Sequence, residues 1–425
     1  MRSPTTTRLL EAFHIVRNQT ESLAAPLSPE DQTAQSMPDT SPTKWHRAHT
    51  TWFFETFVLD RFVPSYRPFD PDFNYLFNSY YDAIGDRHPR AQRGMVTRPT
   101  ATEVGDYRRV VDIAVAELIE SIESEDEEAQ LAEVIQLGLH HEQQHQELLL
   151  MDIKHLLSLN PTEPAYAAEP KIESRDPGPL EWVEFAATTS AIGLAPDEGF
   201  AFDNEHPRHD QLIRPFALAD RLITAGEWLD FMADDGYHRP DLWLSDGWQT
   251  RGAQEWEAPL YWKTSSSGWE LHTLTGTRPV DPNEPVCHVS FYEADAYARW
   301  ANARLATEFE WEHAAQVTDS SPASREVHLH PGVTSSNSST VELKQMFGEC
   351  WQWTESAYRP YPGYTAPPGA IGEYNGKFMI NTMVLRGSSA FTPDGHARVS
   401  YRNFFHPGTR WHLSGVRLAK DLNEQ

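Results

Sequence analysis

LHHEQQHQE, residues 139–147, lies inside an uninterrupted helical pattern that runs from about Glu127 to Leu157. Steps of three and four residues place six positions on one face of this helix: Val134, Gly138, His141, His145, Leu148 and Asp152. His141 and His145 are one turn apart, so both imidazoles can reach a single divalent ion at about 2.0–2.1 Å. A pair of neutral imidazoles points to Fe, Zn, Cu or Ni rather than to Mg or Ca.

Three interpretations of this stretch stay open on these residues alone. The histidines can belong to an ordinary polar, solvated helix face. Alternatively, His141 to His145 satisfies H-E-x-x-H, the zinc-peptidase pattern in which Glu142 is the general base. The third interpretation is a redox metal site that takes a further ligand from elsewhere in the chain.

A third ligand is available in an earlier helical pattern. Ser41-Pro42 predicts an N-cap followed by proline at the first helical position, and the helix then covers about Thr43–Phe62. One stripe of it carries Trp45, His49, Trp52 and Phe53. Because metal sites in helix bundles take ligands from facing helices, we expect His49 to be the third ligand, ahead of His46, which lies off the stripe.

Size and charge limit the fold and the partners. A chain of 425 residues is too long for one ordinary core, so we predict two domains. The 35 basic and 62 acidic side chains give a net charge of −27, which excludes a generic nucleic-acid-binding surface and argues against adhesion to anionic membranes. We therefore expect small-molecule partners, with neither nucleic acid nor membrane.

The cysteine content and the N-terminal sequence indicate the compartment. Only Cys287 and Cys350 occur, which is too few for a disulfide framework or a cysteine-rich zinc site, and a reducing compartment fits. The first residues lack an apolar signal core, and no apolar run reaches about 18 residues. We expect a cytoplasmic protein.

The first part of the chain predicts an up-and-down bundle of four helices. Besides the two helices described above, helical patterns cover about Thr7–Leu23 and Thr102–Glu123. An irregular segment rich in tyrosine and arginine, residues 70–93, lies between the second and the third helix. Because loops on a rigid scaffold often carry function, this segment is a candidate part of the site.

The pattern changes beyond a proline-rich linker that begins at Pro161. Short strand patterns, many tryptophans and Gly, Pro and Asn punctuation replace the helical periods. Two short helices are predicted, at about residues 290–303 and 307–315. The second opens on a capping box formed by Thr307 and Glu310.

This second part resembles the formylglycine-generating-enzyme family, whose fold is a distorted relative of the C-type lectin fold. The matching segments are residues 304–315, 348–354, 385–389 and 414–419, and as a set they are highly specific. The resemblance departs at the chemistry, because that family uses a cysteine pair late in the fold and residues 397–403 contain no cysteine. We therefore expect a different activity.

The first part, with residues 45–55 and 141–147, looks like a DinB-type bundle. A DinB-like bundle fused to a formylglycine-generating-enzyme-like domain is the architecture of the ergothioneine-pathway sulfoxide synthases (EgtB). The predicted fold is thus an all-α four-helix bundle at residues 1–162, a linker at 163–180 and an α+β, C-type-lectin-like domain at 181–425. In the family that the chain resembles, three histidines hold a non-haem Fe(II), and the matching positions are His49, His141 and His145.

The resemblance also implies an activity. The family joins the sulfur of a cysteine derivative to C2 of the imidazole of N-alpha-trimethylhistidine (hercynine), consumes O2 and leaves a sulfoxide. Members that take gamma-glutamylcysteine carry an acidic residue and an arginine where this chain has Phe405 and Thr409, so we expect free cysteine as the sulfur donor. A selenium-using relative, selenoneine synthase, shares the two-domain plan and is not separated by the sequence.

The reaction needs a proton donor during oxygen activation, because oxidation of the thiol to a sulfinate is otherwise easier. Some family members resemble this chain in carrying a tyrosine pair in the first domain's loop. We expect Tyr80 and Tyr81 to donate a hydrogen bond or a proton, and aromatic packing is the alternative role.

Five further side chains are candidates for substrate binding. Arg90 and Arg93 can bind the sulfur donor's carboxylate in a bidentate way, and a surface or loop-bracing role is the alternative. The resemblance places Gln144 on the hercynine side and Asn403 near the trimethylammonium and carboxylate end. Phe404 can line that pocket, with a cation–π contribution near ~1 kcal/mol.

Two other classes of protein stay open beside the oxygenase. One is the zinc peptidase, and the other is a lectin-like binding module tethered to a helix bundle. Both predict that His49 is dispensable, and the peptidase requires Glu142. Our prediction is the reverse: His49→Ala loses iron and activity, and Glu142→Ala is comparatively mild.

Overall fold

The computed structural model describes residues 4–81, 83–168, 174–323, 327–334, 342–367 and 375–422. These residues form two compact units, and the boundary between the units follows Tyr166. The segment predicted as a linker, 163–180, spans this boundary, and its described residues form neither helix nor strand.

The described part of the first unit is all-α. Its helices are α1 (Pro4–Ala24), α2 (Thr43–Phe54), α3 (Asp60–Phe62), α4 (Phe73–Phe77), α5 (Ala101–Ser121) and α6 (Glu125–Ser158). The four long helices α1, α2, α5 and α6 pack against one another as a bundle around a core rich in phenylalanine and valine. A π-helical turn, Glu55–Leu59, continues α2 into α3 and was not predicted.

Local capping explains where α5 and α6 begin. Thr100 and Glu103 form a capping box at the start of α5. Ser124 accepts a hydrogen bond from the backbone N–H of Glu127, and acidic side chains occupy the first turn of α6, where they complement the helix dipole.

The predicted N-cap of α2 is wrong. The N-cap residue is Pro42, and no side chain caps this helix. Ser41 makes other contacts: its backbone N–H donates to Oδ2 of Asp152 (2.8 Å), and its hydroxyl accepts from Nη1 of Arg93 (2.8 Å).

The second unit mixes short helices with small sheets. Its helices are α7 (Ala225–Ala233), α8 (Ser245–Ala253), α9 (Phe291–Trp300) and α10 (Glu308–Val317). The predicted capping box of Thr307 and Glu310 is confirmed at α10. Two of these helices, α7 and α8, were missed, although Thr224 and Glu227 form the same kind of box at α7.

The strands of the second unit are short. They are β1 (Trp182–Phe185), β2 (Thr188–Ile192), β3 (His209–Ile213), β4 (Phe216–Ala219), β5 (Trp262–Ser265), β6 (Gly268–Thr273), β7 (Gly276–Pro279), β8 (Arg304–Leu305), β9 (Trp351–Ala357), β10 (Met383–Arg386), β11 (Asn403–Phe405), β12 (Ser414–Gly415) and β13 (Leu418–Asp421). Two four-stranded sheets, ordered β1-β4-β13-β8 and β11-β10-β9-β12, accompany the hairpin β2-β3 and the sheet β5-β6-β7. The prediction of a helical bundle followed by a sheet-containing unit is confirmed.

None of the helices in the described part of the chain combines the length and the apolar character that a membrane span requires.

Candidate metal centre

Three histidine side chains from two helices converge inside the first unit. His49 comes from α2, and His141 and His145 come from α6. One ring nitrogen of each lies within 4.8 Å of the corresponding nitrogens of the other two, and all three side chains are buried. The Nε2 atoms of His49 and His141 are 3.2 Å apart. The structure thus brings together the three residues that we predicted as ligands.

The His49 ring is held in place by two tryptophans on its own helix face. Trp45, one turn before it, stacks on the ring at 4.6 Å between centroids with an interplanar angle of 12°. Trp52, one turn after it, stacks at 5.5 Å and 16°. The stripe that suggested His49 is therefore a stack that fixes the plane of its imidazole.

A hydrogen bond fixes the tautomer of the same ring. Nδ1 of His49 lies 2.6 Å from the backbone carbonyl oxygen of Phe77. Since a carbonyl oxygen only accepts, Nδ1 carries the proton, and Nε2 of the neutral ring keeps its lone pair. That lone pair is on the nitrogen that faces His141.

Burial favours the neutral form of all three histidines. Burial lowers the pKa of His141 to about 3. Burial, followed by the neighbouring imidazoles, holds the pKa of both His49 and His145 well below the usual value. The neutral imidazole is the form that binds a metal ion.

The donor set fits a first-row transition metal. Two nitrogens that each lie about 2.1 Å from one ion are about 3 Å apart when they subtend an angle near 90°, close to the 3.2 Å seen here. Within the described residues, the cluster contains imidazoles alone, without carboxylate or thiolate. Such a set suits Fe, Zn, Cu or Ni better than Mg or Ca.

Glu142 follows His141 in sequence, but its carboxylate faces other helices. Oε2 accepts from Nη1 of Arg17 (2.7 Å), and Oε1 accepts from Nη2 of Arg108 (2.8 Å) and from the hydroxyl of Thr20 (2.6 Å). Burial on its own would raise the pKa of Glu142, but the two guanidinium charges outweigh it and lower the pKa to about 2.

These contacts weaken the zinc-peptidase interpretation and bear on the stability of the fold. A general base in a zinc peptidase needs a carboxylate at the metal, whereas the Glu142 oxygens are both engaged by Arg17, Arg108 and Thr20. The prediction that Glu142→Ala is comparatively mild concerns iron and activity and stays a prediction; for the stability of the fold we expect a large cost. Removing a fully buried carboxylate from two buried guanidinium groups is costly.

Comparisons with known proteins identify the family of the chain. Residues 12–149 match the DinB superfamily, and residues 184–422 match the family described as "Sulfatase-modifying factor enzyme 1-like domain". The chain is 31% identical over 405 residues to the hercynine oxygenase of Mycobacterium tuberculosis, which covers 90% of this chain and 91% of that protein. The chain belongs to the hercynine oxygenase family. It is therefore an oxidoreductase of the EgtB type.

Other relatives agree with this assignment. The hercynine oxygenase of Mycolicibacterium smegmatis is 30% identical over 423 residues, covering 91% of this chain and 93% of that protein. The "Ergothioneine biosynthesis protein 1" of Schizosaccharomyces pombe is 29% identical over 236 residues, covering 52% of this chain and 28% of that protein.

In this member of the hercynine oxygenase family, Arg93 is a buried cation. Its guanidinium lies 3.4 Å from the centroid of Trp45, the ring that also stacks on His49, and its side chain is 4% exposed. Nη1 and Nη2 donate to the hydroxyls of Ser41 (2.8 Å) and Ser79 (3.0 Å). Among the described residues, no carboxylate lies within ion-pair distance of Arg93. Burial, followed by the charge of Arg90, lowers the pKa of Arg93 to about 8.

Arg90 differs from Arg93 although both lie in one 3-10 segment, Arg90–Met95. Its side chain is exposed, and its Nη2 donates to the backbone carbonyl of Asp39. The structure therefore separates the two arginines that were predicted together.

The predicted tyrosines lie beside the His49 stack. Tyr81 is buried, with its ring 5.6 Å from that of Trp52 and 5.2 Å from that of Phe57, and Tyr80 is half-buried at 4.8 Å from Tyr81. Asn78 fixes the turn, since its amide donates to the carbonyl of Tyr81 and its oxygen accepts from the Tyr81 backbone N–H.

The remaining predicted side chains lie on separate elements. Gln144 is half-buried on α6. Asn403 and Phe404 belong to β11 of the second unit, where Tyr358 stacks on one face of Phe404 at 4.2 Å and 9°. Oδ1 of Asn403 accepts from the backbone N–H of Phe404 (2.9 Å).

The two positions that favoured free cysteine are also in the second unit. Phe405 stacks on His412 at 4.1 Å, and Thr409 is buried. Neither of these side chains carries a charge.

Sequence reasoning missed a contact to one of the candidate ligands. His46, which we set aside in favour of His49, lies with its Nδ1 2.9 Å from Nδ1 of His145. The signal was present, because Asp152, the residue that holds the other end of His46, falls on the same predicted face of α6 as His141 and His145.

Proposed function

We propose that the protein is a non-haem Fe(II), O2-dependent sulfoxide synthase that joins the sulfur of cysteine to C2 of the imidazole of hercynine in ergothioneine biosynthesis. The observation that carries the proposal is the buried set of His49, His141 and His145, all neutral nitrogen donors, in a member of the hercynine oxygenase family. The names of the relatives supply hercynine, oxygenation and ergothioneine.

The proposed reaction balances without an external reductant. The C2–H bond of hercynine and the S–H bond of cysteine break, and a C–S bond and an S–O bond form. One atom of O2 enters the sulfoxide, and the other leaves as water with both hydrogens. O2 thus accepts all the electrons released by C–S bond formation and by oxidation of the sulfur.

Bound by the three histidines, Fe(II) would supply open coordination positions and hold the reactants close together. The imidazoles would leave the charge of the ion uncompensated, because none of the three carries a negative charge. Such a site favours an anionic ligand, and the thiolate of cysteine meets that requirement.

Arg93 is the residue best suited to bind the carboxylate of the sulfur donor. It is a buried cation whose guanidinium donates to the hydroxyls of Ser41 and Ser79, and it stacks on Trp45 directly beside His49. A carboxylate at this position would offset the cost of burying the charge through charge-assisted hydrogen bonds. Arg90, which is exposed, would add positive charge nearby.

The other side chains take supporting roles in the proposal. Tyr80 and Tyr81 donate a proton or a hydrogen bond during oxygen activation and so direct the outcome to the sulfoxide. The roles of Gln144, Asn403 and Phe404 in hercynine binding stay predictions.

One assay tests the proposed function and its donor. Anaerobically purified protein is loaded with Fe(II), given O2 and hercynine, and supplied with cysteine, gamma-glutamylcysteine or selenocysteine in parallel. We expect the mass of a hercynyl-cysteine sulfoxide, formed with cysteine in preference to the other donors. Stoichiometric zinc together with peptide cleavage, or product from none of the donors, would overturn the proposal.

A further inference from the structure

His46 and Asp152 form a hydrogen-bonded chain that ends at His145. Oδ2 of Asp152 lies 3.1 Å from Nε2 of His46, and Nδ1 of His46 lies 2.9 Å from Nδ1 of His145. All three side chains are buried. Asp152 and His145 belong to α6, and His46, which bridges them through its two ring nitrogens, belongs to α2.

The chain determines which nitrogen of each ring carries a proton. An ionised carboxylate only accepts, so Asp152 takes its hydrogen bond from a protonated Nε2 of His46. A neutral His46 then has a bare Nδ1, which accepts. Nδ1 of His145, which faces it, must donate, and Nε2 of His145 is left with its lone pair.

We propose that His46 and Asp152 are positioning residues that hold His145 as the Nδ1–H tautomer and aim its Nε2 at the metal. His46 is therefore not a substitute ligand, but the residue that prepares one. This inference rests on the metal site of the proposed function and is independent of the organic substrates.

A second contact anchors the far end of the chain. Oδ2 of Asp152 also accepts from the backbone N–H of Ser41 (2.8 Å). Ser41 precedes Pro42, the N-cap residue of α2. The carboxylate is thus fixed from the α2 side as well as by its place on α6. A partner that orients a metal-binding histidine in this way typically contributes about 10- to 100-fold to metal affinity.

The test compares two substitutions of His46. His46→Phe keeps the ring but removes the acceptor, and His46→Asn keeps an acceptor oxygen close to the Nδ1 position. Metal-free protein is titrated with Co(II) in competition with a chelator, and the visible spectrum reports coordination. We expect affinity about 10- to 100-fold weaker in His46→Phe and a smaller loss in His46→Asn.

His209→Phe is the matched control. His209 is a half-buried histidine on β3 of the second unit, and its Nδ1 donates to the backbone carbonyl of Pro207 (3.1 Å). The variant removes a hydrogen-bonded imidazole from the other unit, so we expect an unchanged Co(II) affinity. Circular dichroism of the metal-free proteins compares their folding.

A second measurement needs no variant of His46. Nitrogen-15 NMR of the histidine rings in metal-free wild-type protein, with the His145 signals identified by their loss in His145→Gln, reads the tautomer directly. We expect a protonated Nδ1 and a bare Nε2. A proton on Nε2 of His145, or a folded His46→Phe that binds Co(II) as tightly as the wild type, would overturn the inference. Wild-type protein that binds no Co(II) would count against the proposed function, whereas the NMR result would still decide the tautomer.

Discussion

The two sides of α6 differ in charge: one carries neutral histidines, and the other carries a cluster of ion pairs. On one side, His141 and His145 present uncharged nitrogens to His49. On the other side, a cluster balances three guanidinium groups against three carboxylates: Arg17, Arg47 and Arg108 against Glu21, Asp112 and Glu142. Residues 141 and 142 are neighbours in sequence and belong to different sides.

This difference teaches how one helix separates function from stability. The histidine side has uncharged nitrogen donors that can take up a cation, which is the property of a metal-binding site. The glutamate side is already satisfied, and breaking one member leaves an unbalanced buried charge. Substitutions on the histidine side should therefore reduce metal binding and activity, and substitutions on the glutamate side should reduce stability.

The largest effect is expected for His49→Ala. Loss of one of three ligands should reduce iron binding below stoichiometry and lower sulfoxide formation by roughly 10³-fold or more, about 4 kcal/mol. Metal analysis after anaerobic loading and product mass measure both, and near-UV circular dichroism checks the fold. Full iron occupancy in a folded His49→Ala protein would contradict the role of His49 as a metal ligand.

Glu142→Ala is expected to act on the opposite side. Removal of this carboxylate should lower the free energy of unfolding by about 3–5 kcal/mol, because Arg17 and Arg108 lose a buried partner. Urea denaturation measures this loss. The fraction that remains folded should still bind iron. Loss of iron with unchanged stability would contradict a purely structural role for Glu142.

The same carboxylate gives the protein an acid-sensitive contribution to stability. The pKa of Glu142 falls from its usual value near 4.5 to about 2 in the folded protein. Its contribution, on the order of 3 kcal/mol, is therefore complete above about pH 4.5 and is lost as the pH falls towards 2. The difference in the free energy of unfolding between the wild type and Glu142→Gln, measured by denaturant titration, should decrease across this pH window. A difference that does not change with pH would contradict the prediction.

Arg93→Met sharpens the contrast, because it removes a charge that has no carboxylate within ion-pair distance among the described residues. We expect the KM for cysteine to rise by about 10- to 100-fold, the equivalent of one or two charge-assisted hydrogen bonds. The stability of the substrate-free protein should stay unchanged or increase. Arg98→Met, which removes an exposed guanidinium, is the control and should leave both quantities unchanged.

The smallest effect is expected for the tyrosines. Tyr80→Phe and Tyr81→Phe remove only hydroxyl groups, so we expect a few-fold shift of product from the sulfoxide towards cysteine sulfinate, about 1 kcal/mol each. Tyr75→Phe, an exposed tyrosine of the same segment, is the control. Unchanged product ratios in both variants would assign Tyr80 and Tyr81 to packing alone.

The sequence predicted the histidine side of α6 much better than the glutamate side. Spacing of four residues puts His141 and His145 on one helix face, and the Trp45 and Trp52 stripe selected His49. The partners of Glu142 lie 34 and 125 residues away in the chain, and helical periodicity carries no information about such distant pairs. The same reason hid the contact between His46 and His145, 99 residues apart.

The charge cluster also predicts how the protein responds to removal of the proposed metal ion. Arg17, on α1, donates to Asp112 of α5, to Glu142 of α6 and to Thr51 of α2. The four bundle helices are therefore connected by a residue that lies outside the histidine cluster. The scaffold is therefore preorganised, and chelation should empty the site without melting it. In this respect the unit is the opposite of a zinc finger, which folds only around its ion.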